Sequence, residues 1–395
     1  MRKIVFLTGT RADYGKIKSI LKVIHARNGM EVDIFVTGMH MLAQFGNTYA
    51  EVVKDGLGRV HCDEDYAYEP RMDMAIANVI RHFSRFVRKI EPDMIVVHGD
   101  RLDALAGAIV GAFNNIMVAH IEGGEVSGTI DESIRHAISK FAHIHFVANA
   151  EARQLLLHLG EKKESIHIIG SPDVDVMLGD SLPDIDKVKT HYTISFDQYA
   201  ILLYHPVVTE LERLPEQVEK LIKVLKGDQR NYVIIYPNND PGNEIIRRAY
   251  EVAASHERFH LLPSMRFEYF LMLLKHAEFI IGNSSAGIRE ACVYGIPAID
   301  IGSRQYSRCN LKKMKNVIHV EYEETELKNA LGIINKCRHQ QCHFGSGGSA
   351  EAFYSILENE NTWMIPLQKY FIENTASSLS KVTFDKRYHN ECSNV

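Results

Sequence analysis

The sequence lacks the features that mark membrane, disulfide-rich or nucleic-acid-binding proteins. None of its apolar stretches reaches the roughly 18 residues of a transmembrane helix, and the run Ile4–Leu7 is too short for a signal peptide. Its 6 cysteines in 395 residues are too few for a disulfide scaffold. A net charge of −5 gives no general affinity for nucleic acid or anionic membrane. We therefore expect a cytoplasmic enzyme or binding protein that has no nucleic-acid or membrane partner.

The sequence also offers little that could hold a metal ion. Cys337, His339, Cys342 and His343 have a loosely metal-like spacing. No second pair of ligands accompanies them, so the pattern favours a polar loop. We expect no metal and no cofactor.

The chain is too long for one typical core, which favours two domains. Apolar runs of strand length alternate with helical patterns, as in parallel, doubly wound α/β sheets. The alternation weakens over Pro172–Ile194, which we interpret as a linker, and then begins again. The sequence predicts two Rossmann-like α/β domains facing a central cleft, residues 1–175 and 176–364. A helix at about 365–395 is predicted to pack back on the first domain.

Residues 94–136 carry the densest chemical signal. Two runs of strand length end in the carboxylates Asp100 and Glu122, and a third polar cluster at Asp131–His136 opens a predicted helix. Ligands of open α/β sheets bind just beyond the carboxyl ends of the strands. We therefore expect one crevice to contain Asp100, Glu122, Asp131, His98, His120 and Arg135.

Ion pairing is the structural alternative for these acids. A buried carboxylate is costly unless it is paired, and Asp100 and Glu122 could be the partners of Arg135 and Arg101. Asp131 and Arg135 stand four residues apart, a spacing that also fits a simple surface pair on a helix. The sequence leaves both interpretations open.

Two strand-to-helix turns have the composition of an anion site. The first follows the first predicted strand and contains Arg11, which could contact a phosphate. The second is Gly282–Glu290, in which small residues and the hydroxyls of Ser284 and Ser285 precede a predicted helix. Glu290 is placed to accept hydrogen bonds from a ribose diol. An ordinary turn and a serine-capped helix are the structural alternatives.

Two further strand ends are predicted to face the same cleft. One carries His205, which precedes a proline, and the other carries Asn239. A histidine that follows a strand is more often a packing or capping group than a catalyst. Both residues are therefore candidates on position alone.

Five motifs occur in order over roughly residues 1–370. They are Thr8–Gly15, Val36–Met41, His98–Arg101, His120–Asp131 and Gly282–Glu290. Together they resemble the hydrolysing UDP-N-acetylglucosamine 2-epimerases, which supply N-acetylmannosamine for bacterial sialic acid synthesis. The resemblance implies a two-domain fold like that of the GT-B glycosyltransferases, with UDP between the halves. Arg101, Gly124, Glu125 and Ile130–Asp131 resemble the hydrolysing rather than the non-hydrolysing branch.

The resemblance also implies roles for individual residues. By motif match it makes Asp100, Glu122 and Asp131 the catalytic carboxylates. It implies nucleotide contacts from Arg11, His205, Ser284, Ser285, Glu290 and Arg304. Three more residues are expected at the same crevice and are therefore candidate substrate contacts: Arg135, Asn239 and Gly287.

The implied reaction is the conversion of UDP-N-acetylglucosamine and water to N-acetylmannosamine and UDP. Loss of UDP from C1 acidifies the proton on C2, a base removes it to leave 2-acetamidoglucal, and water then adds with inversion at C2. Carboxylates suit this chemistry because they stabilise positive charge and move protons. We expect Asp100 or Asp131 to be the base and Glu122 to stabilise the cation or guide water.

Three alternatives to this activity remain. The chain could be a hydrolysing epimerase of a modified donor such as UDP-2,4-diacetamido-2,4,6-trideoxyglucose. It could be a GT-B glycosyltransferase or a non-catalytic UDP-sugar sensor. Clustered carboxylates argue against a sensor, because a site that only binds an anion would avoid negative charge. In each case we expect a homo-oligomer, either a dimer or a tetramer.

Overall fold

The computed structural model describes residues 1–305 and 314–372. In this part the chain forms two α/β domains, each built around a parallel sheet. The predicted fold class is thereby confirmed. None of the helices described is both long enough and apolar enough to cross a membrane.

The first domain contains seven strands and seven helices. Its strands are β1 (Arg2–Thr8), β2 (Met30–Val36), β3 (Arg59–Cys62), β4 (Met94–His98), β5 (Met117–Ile121), β6 (Ile144–Val147) and β7 (Ile166–Ile168). Its helices are α1 (Arg11–Arg27), α2 (Tyr49–Asp55), α3 (Met72–Ile90), α4 (Leu102–Phe113), α5 (Ile130–Phe141), α6 (Ala150–His158) and α7 (Pro172–Leu178). The strands pair in the order β3-β2-β1-β4-β5-β6-β7.

Burial on both faces explains why these strands are apolar throughout. Ile4 and Phe6 of β1 pack into the cluster formed with α1. Val5 and Leu7 point to the opposite face and pack with α3 and α4. Successive side chains of a strand point to opposite faces, so a strand covered by helices on both sides has no polar face.

The second domain repeats this architecture with six strands. Its strands are β8 (Ala200–Leu203), β9 (Tyr232–Ile235), β10 (Phe259–Leu262), β11 (Ile280–Gly282), β12 (Ala298–Ile301) and β13 (Val317–Val320). The helices after α7 are α8 (Ile185–His191), α9 (Leu214–Gly227), α10 (Asn243–Ala253), α11 (Phe267–Lys275), α12 (Glu290–Tyr294), α13 (Glu324–Ile333), α14 (Ser349–Glu358) and α15 (Glu360–Trp363). The strands pair in the order β10-β9-β8-β11-β12-β13.

The segment interpreted as a linker, Pro172–Ile194, contains two helices. Both α7 and α8 have seven residues, which is two turns and too short to give a sustained helical period in the sequence. Met177 and Val188 are buried in the core of the second domain. The connection between the domains is therefore an ordered part of the structure.

The chain returns to the first domain earlier than the sequence predicts. Phe353 of α14 packs its ring against Phe6 and Phe146, with centroid distances of 6.4 and 4.4 Å. Residues 365–372 then run along the first domain without forming a helix, and the amide of Ile372 donates to the carbonyl of Gly160 at 3.1 Å. The remainder of the predicted 365–395 helix, including the tail after Asn374, lies outside the described residues.

Candidate functional site

A cleft of about 290 Å³ separates the carboxyl ends of the two sheets. It brings together most of the residues singled out from the sequence. The predicted residues that line it are Asp100, Glu122, Asp131, Arg11, His205, Ser284, Ser285, Glu290 and Arg304, together with His98. Of the remaining predicted residues, Arg135, Asn239, Gly287 and His120 are not among the described residues that line it. Asp100, Glu122 and Asp131 come from the first domain, whereas the serines, His205, Glu290 and Arg304 come from the second.

His120 is a structural histidine, contrary to the expectation that it lies in the crevice. Its ring is fully buried, with Nε2 2.8 Å from the carbonyl of Gly99 and Nδ1 3.2 Å from Oγ of Ser139. Burial lowers the pKa of His120 to about 3, so the ring is neutral. Gly99 has a φ of 74° and precedes Asp100. His120 therefore fixes the turn that presents Asp100 to the cleft.

Asp100 and Asp131 pair with different arginines. Arg135 donates from Nη2 to Oδ2 of Asp100 and from Nη1 to the carbonyl of Glu125 at 3.1 Å. Asp131 instead has Oδ2 3.4 Å from Nη2 of Arg304, in the second domain. The Asp100–Arg135 pair that the sequence left open is present, and Arg135 is buried behind the cleft. Asp100 and Asp131 remain about one fifth exposed, at 20% and 17% of their side chains.

The predicted helix start beside Asp131 has a different cap from the one its sequence suggests. Thr129 and Glu132 have the spacing of a capping box. The side chain of Thr129 accepts from the amide of Asp131 at 3.4 Å, but Glu132 accepts from the amide of Ser127 at 2.7 Å. The helix begins at Ile130, so Asp131 stands in its first turn at the mouth of the cleft.

Glu122 pairs with Arg289 rather than with Arg101. Its Oε1 lies 2.5 Å from Nη2 of Arg289 and accepts from Oγ of Ser171 at 2.5 Å. Burial alone raises the pKa of Glu122, but the charges of Arg289 and Lys16 outweigh it and hold this pKa well below its ordinary value. Glu122 is therefore an ionised acceptor at neutral pH. Its φ of 66° marks a sharp turn directly after β5.

Arg101 binds Asn239 beside the main cleft, so Asn239 does not line the cleft itself. Its Nη1 lies 3.1 Å from Oδ1 of Asp240, and its Nη2 donates to Oδ1 of Asn239 at 3.0 Å. These residues line a smaller annex of about 50 Å³ next to the main cleft. Arg101 and Asn239 thus connect the two domains beside the main cleft.

The turn that contains Arg11 is already satisfied internally. Asp13 accepts from the amides of Gly9 and Thr10, at 3.0 and 2.8 Å, and forms a capping box with Thr10. These amides are therefore not available to an anion, so the predicted phosphate contact depends on the Arg11 side chain. Its Nη1 reaches Oγ of Ser264, in the second domain, at 3.1 Å, and Nη2 lies 2.9 Å from Oε1 of Glu51.

The second predicted anion turn is tighter than a helix start. Ser285–Gly287 form a single 3₁₀ turn, and α12 follows only at Glu290. The sequence pattern predicts a longer helix, Ala286–Tyr294, which is wrong at its start. With only five residues in α12, the helix dipole contributes little here. The predicted anion contact therefore depends on the hydroxyls of Ser284 and Ser285, while Gly287 lies behind them.

His205 is held as a neutral hydrogen-bond donor. Burial, together with the charge of Arg304, lowers the pKa of His205 to about 3. The amide of Asn238 donates to Nδ1 at 3.2 Å, so the ring proton is on Nε2. Asn283 bonds the backbone N–H and C=O of His205 at 2.7 and 2.8 Å. Nothing in the sequence beyond its place in the Gly282–Glu290 motif indicates this role for Asn283.

Two buried cations of the site were not predicted. Lys16, in the second turn of α1, lies 3.2 Å from both Oε1 of Glu290 and Oδ2 of Asp173. Arg289 binds Glu122 and lines the cleft. Arg289 lies within the motif Gly282–Glu290, and Lys16 directly follows the motif Thr8–Gly15. These positions are the only sequence signal that could have indicated the two cations. Glu290, expected to contact ribose, is bound to Lys16 in this structure.

Other proteins share this fold and sequence pattern. The sequence model of the UDP-N-acetylglucosamine 2-epimerase family matches residues 22–358. The chain is 44% identical over 385 residues to a UDP-N-acetylglucosamine 2-epimerase of Neisseria meningitidis serogroup B, covering 94% of this chain and 99% of the relative. It is 34% identical over 366 residues to a hydrolysing UDP-N,N'-diacetylbacillosamine 2-epimerase of Legionella pneumophila, covering 91% and 96%.

A solved structure shares the fold at lower identity. It is the crystal structure of a UDP-GlcNAc 2-epimerase from Neisseria meningitidis bound to UDP-GlcNAc, which is 17% identical to this chain. The two superpose with a TM-score of 0.76, over 90% of this chain and 100% of the other. The two-domain arrangement with a central cleft is therefore common to both.

Proposed function

The chain belongs to the UDP-N-acetylglucosamine 2-epimerase family, as its motifs predict, and from this premise we propose that it converts UDP-N-acetylglucosamine and water to N-acetylmannosamine and UDP. The observation that carries the proposal is the composition of one cleft. Three acids of the first domain line it together with hydroxyl, imidazole and guanidinium donors of the second. Relatives in this family give no support to a glycosyltransferase or to a non-catalytic sensor.

The donors of the second domain suit a departing diphosphate. The Nε2–H of His205, the hydroxyls of Ser284 and Ser285, and the guanidinium of Arg304 all line the same part of the cleft. Arg11 adds a cationic group from the first domain. Fixed donors of this kind stabilise the negative charge that develops as the bond between C1 and the diphosphate oxygen breaks.

Glu122 suits the positive charge that develops at C1. It is ionised because Arg289 and Lys16 keep its pKa low, so it accepts hydrogen bonds and does not donate them. An ionised carboxylate stabilises an oxocarbenium-like centre, as in glycoside hydrolysis. The positive charge at C1 makes the proton on C2 acidic enough for a second carboxylate to remove it.

Inversion at C2 requires two proton-transfer groups on opposite faces of the sugar. A base removes the C2 proton as UDP leaves, which forms the C1–C2 double bond of 2-acetamidoglucal. Water then adds its oxygen to C1, and an acid delivers a proton to the other face of C2. Asp100 and Asp131 fit these two tasks, since both line the cleft and stay partly exposed. Which of them is the base stays a prediction.

The hydrolysing branch of the family is supported by two observations. The relative from Legionella pneumophila is named as hydrolyzing. The residues that resemble this branch, such as Arg101 and Glu125, make specific contacts beside the cleft: Arg101 with Asp240 and Glu125 with Arg289.

The test is a reaction in deuterated water followed by NMR. We expect free N-acetylmannosamine that carries deuterium at C2, together with stoichiometric UDP. Release of epimerised sugar still bound to UDP would contradict the hydrolytic step, and transfer of the sugar to an acceptor would contradict the epimerase assignment. A parallel assay with UDP-N,N'-diacetylbacillosamine decides the sugar: faster turnover of that donor would overturn UDP-N-acetylglucosamine as the substrate.

The cellular setting is part of the same proposal. Cys62, Cys337 and Cys342 are free thiols in the described structure, which suits the reducing cytoplasm. The expected homo-oligomer stays a prediction. Light scattering of the purified protein measures its mass directly, and a monomer would contradict it.

A further inference from the structure

Arg289 joins the two domains at the back of the cleft. It precedes α12 in the second domain and is 2% exposed. Its Nη2 lies 2.5 Å from Oε1 of Glu122, and its Nη1 lies 2.5 Å from Oε1 of Glu125. Both acids follow β5 of the first domain. The guanidinium therefore spans the boundary between the domains at the predicted catalytic acid.

Further groups fix the direction of this bridge. Oγ of Ser171, at the crossover between the domains, lies 2.5 Å from both Nη2 of Arg289 and Oε1 of Glu122. The ring of Phe344 lies under the guanidinium, 4.5 Å from its central carbon. A planar cation with two parallel donors fits this arrangement, whereas a lysine ammonium is a single point charge.

We propose that Arg289 is a positioning residue of the epimerase reaction, which holds Glu122 towards the substrate by bridging the two domains. The inference rests on the proposed function. Glu122 comes from one domain and Arg289 from the other, so the orientation of the acid depends on how the two domains are placed. The charge that stabilises the C1 cation is thereby coupled to closure around UDP.

The pH dependence of Glu122 follows from the same contacts. The groups that face it are Arg289, Lys16 of α1, His98 of β4, Ser171 and, at the other side of Arg289, Asp173. Arg289 is the strongest of the contributions that lower the pKa of Glu122. Weakening it raises this pKa, so protonation of Glu122 then begins at higher pH as the solution is acidified. Activity that needs the ionised acid is lost correspondingly earlier.

The experiment compares Arg289→Lys with a matched control, Glu268→Gln. The control removes another ion pair between the domains, because Oε1 of Glu268 lies 2.9 Å from Nζ of Lys18, and neither residue lines the cleft. For Arg289→Lys we expect a kcat lower by about 10- to 100-fold, with a KM close to that of the wild type. The acidic limb of its kcat profile moves to higher pH. Glu268→Gln keeps the wild-type profile.

A double-mutant cycle separates positioning from general damage to the fold. Glu122→Gln has no carboxylate to hold or to titrate, so adding Arg289→Lys to it should change kcat little and should not move the acidic limb that the base at C2 still gives. Multiplicative losses, or an Arg289→Lys enzyme with the wild-type kcat and pH profile, would overturn the inference.

Arg289→Gln removes the guanidinium that pairs with the buried Glu122 and Glu125 and can fail to fold, so its melting temperature and UDP affinity are measured first. If it folds, we expect the same lowered kcat and shifted acidic limb, and a wild-type profile would overturn the inference. A wild-type chain that releases no sugar would reject the proposed function instead.

Discussion

The contribution of His205 to UDP binding gives a sharp quantitative prediction. The change is His205→Leu, which removes the imidazole with its N–H donor and leaves the backbone of this turn held by Asn283. His205 is neutral, because its pKa is lowered to about 3. The effect is therefore that of one donor to an anion, about 1.5–3 kcal/mol. At about 1.4 kcal/mol per tenfold, this predicts UDP affinity weaker by roughly 10- to 150-fold.

The assay is calorimetric titration with UDP and with uridine, each over pH 5.5–8. We expect the loss with UDP and little change with uridine, because the missing donor faces the diphosphate. His260→Leu is the control, since His260 belongs to the second domain but its Nε2 contacts the carbonyl of Tyr192, away from the cleft. The reasoning fails if His205→Leu binds UDP like the wild type. It also fails if wild-type affinity shows a histidine titration near neutral pH that the variant lacks.

Three further predictions address the acids, the pH dependence of stability and the second anion turn. Each catalytic acid is replaced by its isosteric amide, in Asp100→Asn, Glu122→Gln and Asp131→Asn. Each variant is expected to lower kcat by about 10²–10⁴-fold with near-normal UDP affinity, and near-normal turnover of all three would refute the assignment. His120 and His205 have pKa values of about 3 in the folded protein, below their value in the unfolded chain. Unfolding therefore takes up protons, and the free energy of unfolding declines as the pH falls from about 6.5 towards 3. Urea denaturation at pH 7.5 and 5 measures this, and equal free energies of unfolding would contradict it. Gly282→Ala places a Cβ 2.0 Å from the carbonyl oxygen of Leu203 at a φ of 140°, so both the melting temperature and the UDP affinity should fall, and unchanged values of both would refute the geometry.

The sequence was informative wherever chemistry follows a strand directly. Asp100 and Glu122 come immediately after β4 and β5, or within two residues of them, and the sheet order places those strands side by side. Topology alone therefore brings these acids to one edge. The same argument placed Ser284 and His205 at the neighbouring ends of β11 and β8, which also pair.

The sequence was silent where a contact joins distant parts of the chain. Arg289 and Glu122 are 167 residues apart, and no local pattern records their pairing. At His120 the sequence predicted a cleft residue that the structure does not have there. His120 lies in a polar motif, but it occupies a buried position of β5. The helices α7 and α8 were missed because two turns leave no period to detect.

The return of α14 to the first domain has a consequence for synthesis on the ribosome. Phe353 and Leu357 complete a core that begins with Ile4, Phe6 and the apolar side of α1, so part of this sheet face stays uncovered until almost the whole chain has been translated. The second domain, by contrast, has nearly all of its strands once β13 has emerged. The nascent protein therefore carries a partly uncovered apolar sheet face until α14 arrives, the kind of surface that chaperones hold.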